Sequence, residues 1–215
     1  MESVSRSMKF DLSRSSFEES QLVYHPSDRG CWHNLSSCVW AEEHIQLPGR
    51  VSLATRYKGL KSFFVTVLGV LKPSLEMHVA ALIQKALEEK PNKQKITQEM
   101  LNICALNPTP KALRKLSDCK CFAVKLPSGT IEWMDSQGAF TIVDRREYES
   151  IFASKINILN LSLEEAHALE LFFSNLGLES RYMSKAVHEE TNVQDGSISL
   201  ELTKDFRKKA YAICR

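Results

Sequence analysis

The sequence of 215 residues lacks the features that mark several large classes of protein. It has no long apolar run, since its longest, residues 63–71, is interrupted by Thr66 and Gly69 and is too short to span a bilayer. The first residues are polar and carry no apolar core of a secretory signal. We therefore expect an intracellular protein, cytoplasmic or nuclear, that is neither secreted nor attached to a membrane.

Glycine-rich phosphate loops are also missing. Neither GxxxxGK[ST] nor GxGxxG occurs, so nothing supplies the run of backbone N–H donors that holds a phosphate chain. Residues 135–138 place glycine after an acidic residue, but a turn between strands explains that segment better. No other catalytic motif is present. The sequence therefore predicts a protein that is not an enzyme and that needs no cofactor.

The chain has no excess of charge of one sign. Its 28 Lys and Arg residues nearly balance 26 Asp and Glu residues, which gives a net charge of +2. The balance conceals a net charge of +8 in residues 51–125, against −2 before them and −4 after them. The lysines of the basic segment are not interleaved with stacking aromatic residues, as binding to single-stranded nucleic acid requires. Charge therefore disfavours a nucleic-acid partner.

The patterns that are present divide the chain into four segments. Residues 1–20 show no clear period and are predicted to be a flexible lead-in. Residues 21–118 combine a strand pair, at 21–24 and 38–40, with a helical subdomain. A hairpin and helices are expected over 119–190, and a linker and an amphipathic helix over 191–215.

Helix-capping signals support the helical predictions. Ser74 is placed to cap a helix that begins after Pro73 and ends before Pro91, and Thr109-Pro110 opens another. Ser162 and Glu165 form a capping box, and the helix after them is predicted to end at Gly177. Shorter helices are expected at residues 57–68, 97–106, 146–154 and 179–188.

The clearest strand signal is a hairpin at residues 121–134. Two runs of strand-forming residues flank the turn residues Pro127, Ser128 and Gly129. Residues 140–143 and 156–161 are predicted to be further extended segments. The fold class is therefore α+β and rich in helix, with a small antiparallel sheet that includes the hairpin near residues 120–134.

Four residues near the N-terminus are candidate zinc ligands. Cys31, His33, Cys38 and His44 follow the order Cys-x-His-x4-Cys-x5-His, whereas structural zinc sites pair ligands at C-x2–4-C and H-x3–5-H spacings. We therefore predict no metal site, with a zinc-binding or nucleic-acid-binding regulator as the alternative. The same cysteine–histidine pairs leave a small cysteine-dependent enzyme as the second alternative.

The C-terminal amphipathic helix is a candidate interaction surface. Its apolar stripe consists of Leu202, Phe206, Ala210 and Ile213, and the sequence shows no element placed to cover it. An apolar stripe that no other element covers is typical of a surface that binds a protein partner.

Several sequence phrases resemble one family of large proteins. The phrases are residues 22–27 (LVYHPS), 32–40 (WHNLSSCVW), 60–70 (LKSFFVTVLGV), 140–145 (FTIVDR), 161–165 (LSLEE) and, above all, 172–184 (FFSNLGLESRYMS). Together they resemble the middle region of large fungal proteins related to plant NO VEIN and to sacsin, over roughly residues 17–213. Those proteins carry, near their N-terminus, an ATPase domain of the histidine-kinase, gyrase and chaperone type.

The resemblance implies a non-catalytic role. The family's nucleotide-binding boxes, an Asn-bearing helix and an Asp-x-Gly-x-Gly loop, have no counterpart in this sequence. What the resemblance implies is an interaction or scaffold module that lies downstream of such an ATPase, as a fragment or truncated homologue. Its partner would be another protein or the remainder of the larger ATPase-type protein.

Overall fold

The fold is α+β, as predicted, with short strands in the first third of the chain and helices around a three-stranded sheet after it. The computed structural model describes residues 14–26, 30–187, 199–204 and 206. Within these ranges, no helix is long and apolar enough to cross a membrane. Residues 14–19 are helical, inside the segment predicted to be a flexible lead-in.

The first third of the described chain contains two pairs of short strands. Strand β1 (Val23–His25) pairs antiparallel with β2 (Cys31–His33), and β3 (Cys38–Val39) pairs parallel with β4 (Val51–Ser52). Two of these strands were predicted, but each pairs with a strand that was not. Strands of two or three residues are too short for their alternation to stand out from the sequence.

The predicted helix at 57–68 has a different form. A 3₁₀ turn at Lys58–Leu60 leads into a π-helical segment at Ser62–Val67, in which the Leu68 N–H donates to the Phe63 carbonyl at 2.9 Å. Phe64 and Leu68 are buried in a small core of the first third, whereas Phe63 is partly exposed.

Three capped helices follow. Helix α1 (Leu75–Ala86) begins as predicted, with the Ser74 hydroxyl accepting the Met77 N–H at 3.3 Å. Helix α2 (Lys93–Ala105) begins four residues earlier than predicted because the Asn92 side chain caps it. Helix α3 (Pro110–Leu113) is capped by Thr109, as predicted, and continues into a 3₁₀ turn at Arg114–Leu116.

The predicted hairpin forms the centre of the sheet. Strand β5 (Phe122–Lys125) pairs antiparallel with β6 (Ile131–Met134), and Gly129 adopts a φ of +87° in the connecting turn. Strand β7 (Ile158–Leu159) pairs antiparallel with the other edge of β5. The predicted strand at 140–143 makes only isolated bridges, from Thr141 to Ile158 and from Ile142 to Tyr182.

The last helices are shorter than predicted. Helix α4 is Arg146–Phe152, and the capping box of Ser162 and Glu165 opens α5 (Leu163–Ala168). A turn at Leu169 separates α5 from α6 (Glu170–Asn175), where a single helix was predicted. A 3₁₀ turn at Glu179–Arg181 and α7 (Met183–Ala186) then replace the predicted helix at 179–188.

One main hydrophobic core holds α1, α2, the hairpin and α6 together. It contains residues on both sides of the boundary predicted between 118 and 119, so that boundary does not separate two cores. Its largest fully buried side chains are Leu82, Ile96, Ile103, Leu113, Leu116, Phe122, Ile142, Leu169, Phe172 and Phe173.

The C-terminal residues that the structure describes are helical at 200–204 and 206. Leu202 is 62% exposed and Phe206 is 74% exposed. Ala210 and Ile213, the other members of the predicted stripe, lie outside the described residues.

Candidate functional site

The four candidate zinc ligands do not form a cluster. Cys31 on β2 and His44 in a loop are exposed, and His33 is half-buried. Cys38 is buried, with its thiol donating to the Asn34 carbonyl at 3.4 Å. Among the described residues, no three His, Cys, Asp or Glu side chains are grouped as a metal ion requires. The geometry therefore gives the zinc hypothesis no support in this part of the chain.

The cysteine thiols differ in their surroundings. Burial raises the pKa of Cys38 to about 11 and also raises the pKa of Cys104. Cys119 and Cys121 interact through their side chains, and this hydrogen bond lowers the pKa of Cys119 and raises that of the buried Cys121. A thiol of raised pKa is a poor nucleophile near neutral pH, which disfavours Cys38 as the nucleophile of a cysteine enzyme.

A charged cluster that the sequence did not predict lies between α1 and α2. Glu99 is 2% exposed, and its carboxylate accepts hydrogen bonds from His78 Nδ1 and Lys85 Nζ. Burial alone raises the pKa of Glu99, but the hydrogen bonds from His78 and Lys85 outweigh it, so the pKa lies below its ordinary value. Both carboxylate oxygens are paired and His78 is only 3% exposed, so the cluster joins two helices and offers no access to a substrate.

An apolar groove of about 430 Å³ lies between α1 and α3. Its floor consists of Leu75, Val79, Ile83 and Ala112, and Lys111 and Lys115 stand on one wall. Glu76 on α1 also lines it. Leu75 and Ile83 are only half-buried, because α3 is too short to cover the whole apolar face of α1.

The sequence indicates the apolar face of α1 that lines this groove, but it does not indicate the groove itself. Helical spacing relates five apolar residues and predicts that they form one apolar face of α1: Leu75, Val79, Leu82, Ile83 and Leu87. Leu82 is fully buried, Leu75 and Ile83 line the groove, and Leu87 is 79% exposed. Periodicity indicates which face is apolar but does not indicate how much of that face a neighbouring helix covers.

A larger, acidic cleft of about 840 Å³ lies between α5, α6 and the chain around α7. Three acidic residues line it: Asp144, Glu170 and Glu179. The Ser184 N–H donates to Asp144 Oδ1 at 3.1 Å, and the Ser184 hydroxyl donates to Asp144 Oδ2. The Ser174 hydroxyl donates to Glu179 Oε1 at 2.5 Å. These hydrogen bonds hold two of the carboxylates in place along the cleft wall.

Tyr182 also lines the acidic cleft and is 7% exposed. Its hydroxyl is buried and has no hydrogen-bond partner among the described residues. Burial, and then the negative charges of Glu170, Asp144 and Glu179, raise the pKa of Tyr182 to about 12. The hydroxyl therefore lies in the field of all three acidic residues of the cleft.

Sequence reasoning did not identify this cleft. Asp144 and Ser184 are forty residues apart, and only the packing of α7 against the segment before α4 brings them together. Tyr182 and Ser184 belong to the phrase 172–184 that carries the strongest family resemblance, but nothing local in that phrase marks either residue as part of a cleft.

Comparison with known proteins gives one match. No curated protein and no solved structure matches the chain. A family model described as Domain of unknown function (DUF8348) matches residues 76–187, just over half of the chain. The match begins one residue after the start of α1 and ends one residue after α7, so it contains the buried cluster, the acidic cleft and all of the groove lining except Leu75. The chain therefore belongs to the DUF8348 family.

Proposed function

We propose that this chain is a non-catalytic protein-interaction module that binds an amphipathic helix of a protein partner in the groove between α1 and α3. The observation that carries the proposal is the uncovered apolar face of α1, where Leu75 and Ile83 remain half-buried above a buried Val79. A groove of about 430 Å³ is within the size range of ligand-binding sites in proteins.

The shape of the groove favours a helix. Leu75, Val79 and Ile83 are spaced four residues apart, so they form a straight apolar row along α1. A partner helix that places apolar side chains at similar spacing can pack along this row, which is the usual form of helix-in-groove recognition.

The charge of the groove favours an acidic partner. Lys111 and Lys115 stand on the α3 side and Arg114 is exposed between them, whereas Glu76 is the one acidic residue of the lining. A partner helix with Asp or Glu beside its apolar residues would pair with these cations. The chain's own stripe at Leu202 and Phe206 is flanked by charges of both signs, Glu201 and Asp205 on one side and Lys204 and Arg207 on the other. We retain that stripe as a second proposed interaction surface.

The wider context of the module is also a proposal. The phrases that resemble NO VEIN and sacsin-like proteins support a position downstream of an ATPase domain, as a scaffold segment. ATP hydrolysis would then be carried out by the ATPase domain of the larger protein. Purified chain incubated with ATP is expected to show no hydrolysis and no tight nucleotide binding, and either activity would contradict the non-catalytic assignment.

Selection from a random peptide library on the immobilised full chain tests the groove. We expect the selected peptides to be amphipathic, with Asp or Glu next to apolar residues spaced three and four apart. The double variant Lys111→Glu/Lys115→Glu should weaken their binding at least tenfold, because the peptide's acidic residues would face like charges. Lys155→Glu, which changes an exposed lysine that does not line the groove, is the matched control and should leave binding unchanged.

Two outcomes would contradict the groove as the docking surface. One is a set of selected peptides that bind the double variant as tightly as the unmodified chain. The other is loss of binding in Lys155→Glu of the same size, which would mean that net charge alone determines the affinity.

A further inference from the structure

The acidic cleft has charges that the protein does not neutralise. Within the described part of the chain, none of its three acidic residues forms an ion pair with a lysine, arginine or histidine. Lys185 and His167 line the cleft as well, so three carboxylates face one permanent cation. The Lys185 ammonium lies 6.0 Å from the centre of the Tyr182 ring, within the range of a cation–π contact.

The Tyr182 hydroxyl is a second and independent indication of a ligand. A buried hydroxyl without a partner destabilises a fold, so native proteins rarely contain one. Tyr182 is more than nine-tenths buried and lines the cleft. The residue lines the same cleft as Glu170, Asp144 and Glu179, and the negative charges of these three residues act on its hydroxyl.

We propose that the cleft binds a lysine or arginine side chain that a polypeptide partner presents. The cation would lie between the carboxylates of Asp144, Glu170 and Glu179, which accept its N–H donors. The Tyr182 hydroxyl would donate to a backbone carbonyl of the same polypeptide, so that both the charge and the hydroxyl gain partners on binding.

The spacing of the acidic residues favours an organic cation over a metal ion. A metal ion needs its ligands within about 2–2.6 Å, and the described residues contain no group of three acidic, histidine or cysteine side chains that meets this requirement. An ammonium or guanidinium group instead pairs with carboxylates that stand farther apart, because its donors point in several directions. The serine hydrogen bonds fix the carboxylates of Asp144 and Glu179 in the cleft, and neither carboxylate is paired with a cation of the described chain.

This cleft is distinct from the groove between α1 and α3, and its charge is opposite. The groove would take an acidic amphipathic helix, whereas the cleft would take a basic side chain. Failure of one site in its test therefore leaves the other unaffected.

Titration of the isotope-labelled full chain with capped trilysine, followed by NMR, tests the proposal. We expect the backbone signals of residues near Asp144, Glu170 and Ser184 to shift in a saturable manner. The double variant Glu170→Gln/Glu179→Gln should weaken binding at least tenfold, because it removes two of three charges and keeps the side-chain shapes. Glu132→Gln, an exposed glutamate on the hairpin, is the matched control and should bind as the unmodified chain does.

Two further arms test the role of the hydroxyl and the nature of the ligand. Tyr182→Phe keeps the ring and should weaken trilysine binding about threefold or more. Spermidine carries the same charge as capped trilysine but has no carbonyl, and we expect it to bind at least fivefold more weakly. Shifts spread evenly over all acidic surfaces, equal binding by Glu170→Gln/Glu179→Gln, an unchanged affinity in Tyr182→Phe, or equal affinity for spermidine would each overturn the proposal.

Discussion

Glutamate and aspartate are used in two opposite ways within the family-matched region. Glu99 is inside the core, and His78 and Lys85 occupy both of its carboxylate oxygens. Glu170 and Glu179 line an open cleft and have no cation of the described chain paired with them. The first carboxylate is neutralised by the fold, and the other two have no cationic partner within the described chain.

This contrast separates charge that stabilises from charge that is available for binding. A buried charge is tolerated only when it is paired and hydrogen-bonded, so Glu99 has no capacity left for a ligand. An exposed carboxylate keeps its hydration and contributes little to stability, so its position carries more information about binding.

The largest effect is expected from Glu99→Ala. Removal of one partner leaves the buried His78 and the partly buried Lys85 without their acceptor, and breaking such a cluster destabilises proteins by about 3–5 kcal/mol. Chemical denaturation should show this loss in the free energy of unfolding. Glu132→Ala, which removes an exposed glutamate, should change it by less than about 0.5 kcal/mol.

The pH dependence of the free energy of unfolding should show the contribution of Glu99. The pKa of Glu99 in the folded chain lies below its ordinary value of 4.5, so its contribution is complete above that value. The contribution is lost as the pH falls through the pKa of the folded chain, because protonation then weakens the contacts with His78 and Lys85. Each unit by which the pKa is lowered corresponds to about 1.4 kcal/mol.

Denaturation of the unmodified chain and of Glu99→Gln at a series of pH values measures this effect. The difference between their free energies of unfolding should shrink as the pH falls below 4.5. A difference that stays constant down to the acid limit would mean that Glu99 does not titrate as the buried partner of these cations.

Local elements of the fold and sites formed by distant residues differ in how far the sequence predicts them. Local signals were sufficient for the caps at Ser74 and Thr109, for the Ser162 capping box and for the hairpin turn, because each depends on residues within a few positions. The α+β class followed from these elements. The turn at Leu169 divides a predicted helix, and no glycine or proline near it in the sequence indicates a break.

Neither charged site could be predicted, because each is formed by distant residues. Glu99 has ordinary helix neighbours in sequence, and only the packing of α1 on α2 brings it to His78 and Lys85. The cleft depends on hydrogen bonds between residues forty positions apart. Periodicity identifies the C-terminal stripe, and the two members that the structure describes are exposed.

Tyr182→Phe should increase stability, whereas the same change at Tyr57 should reduce it. Tyr182 has a buried hydroxyl without a partner in the described chain, so its removal relieves a desolvation penalty and should add about 0.5–1 kcal/mol to the free energy of unfolding. The Tyr57 hydroxyl donates to the Tyr24 carbonyl at 2.5 Å, and its removal should subtract about 1 kcal/mol. Destabilisation by Tyr182→Phe equal to that by Tyr57→Phe would show that the fold already satisfies the cleft hydroxyl.

The smallest effect on stability, and the most specific test of the cleft, is expected from Glu170→Gln/Glu179→Gln. Both residues are exposed, so the free energy of unfolding should change by less than about 0.5 kcal/mol. The pKa of Tyr182, about 12 in the unmodified chain, should nevertheless fall, because two of the three negative charges that disfavour the phenolate are removed. It should remain above the ordinary value of 10, since burial is the largest cause of the rise.

Ultraviolet titration of the tyrosines, with Tyr182→Phe to assign the signal and Glu132→Gln as control, measures the change. An unaltered pKa would place the hydroxyl outside the field of these carboxylates, and the cleft would then lose the link between its acidic wall and its buried tyrosine.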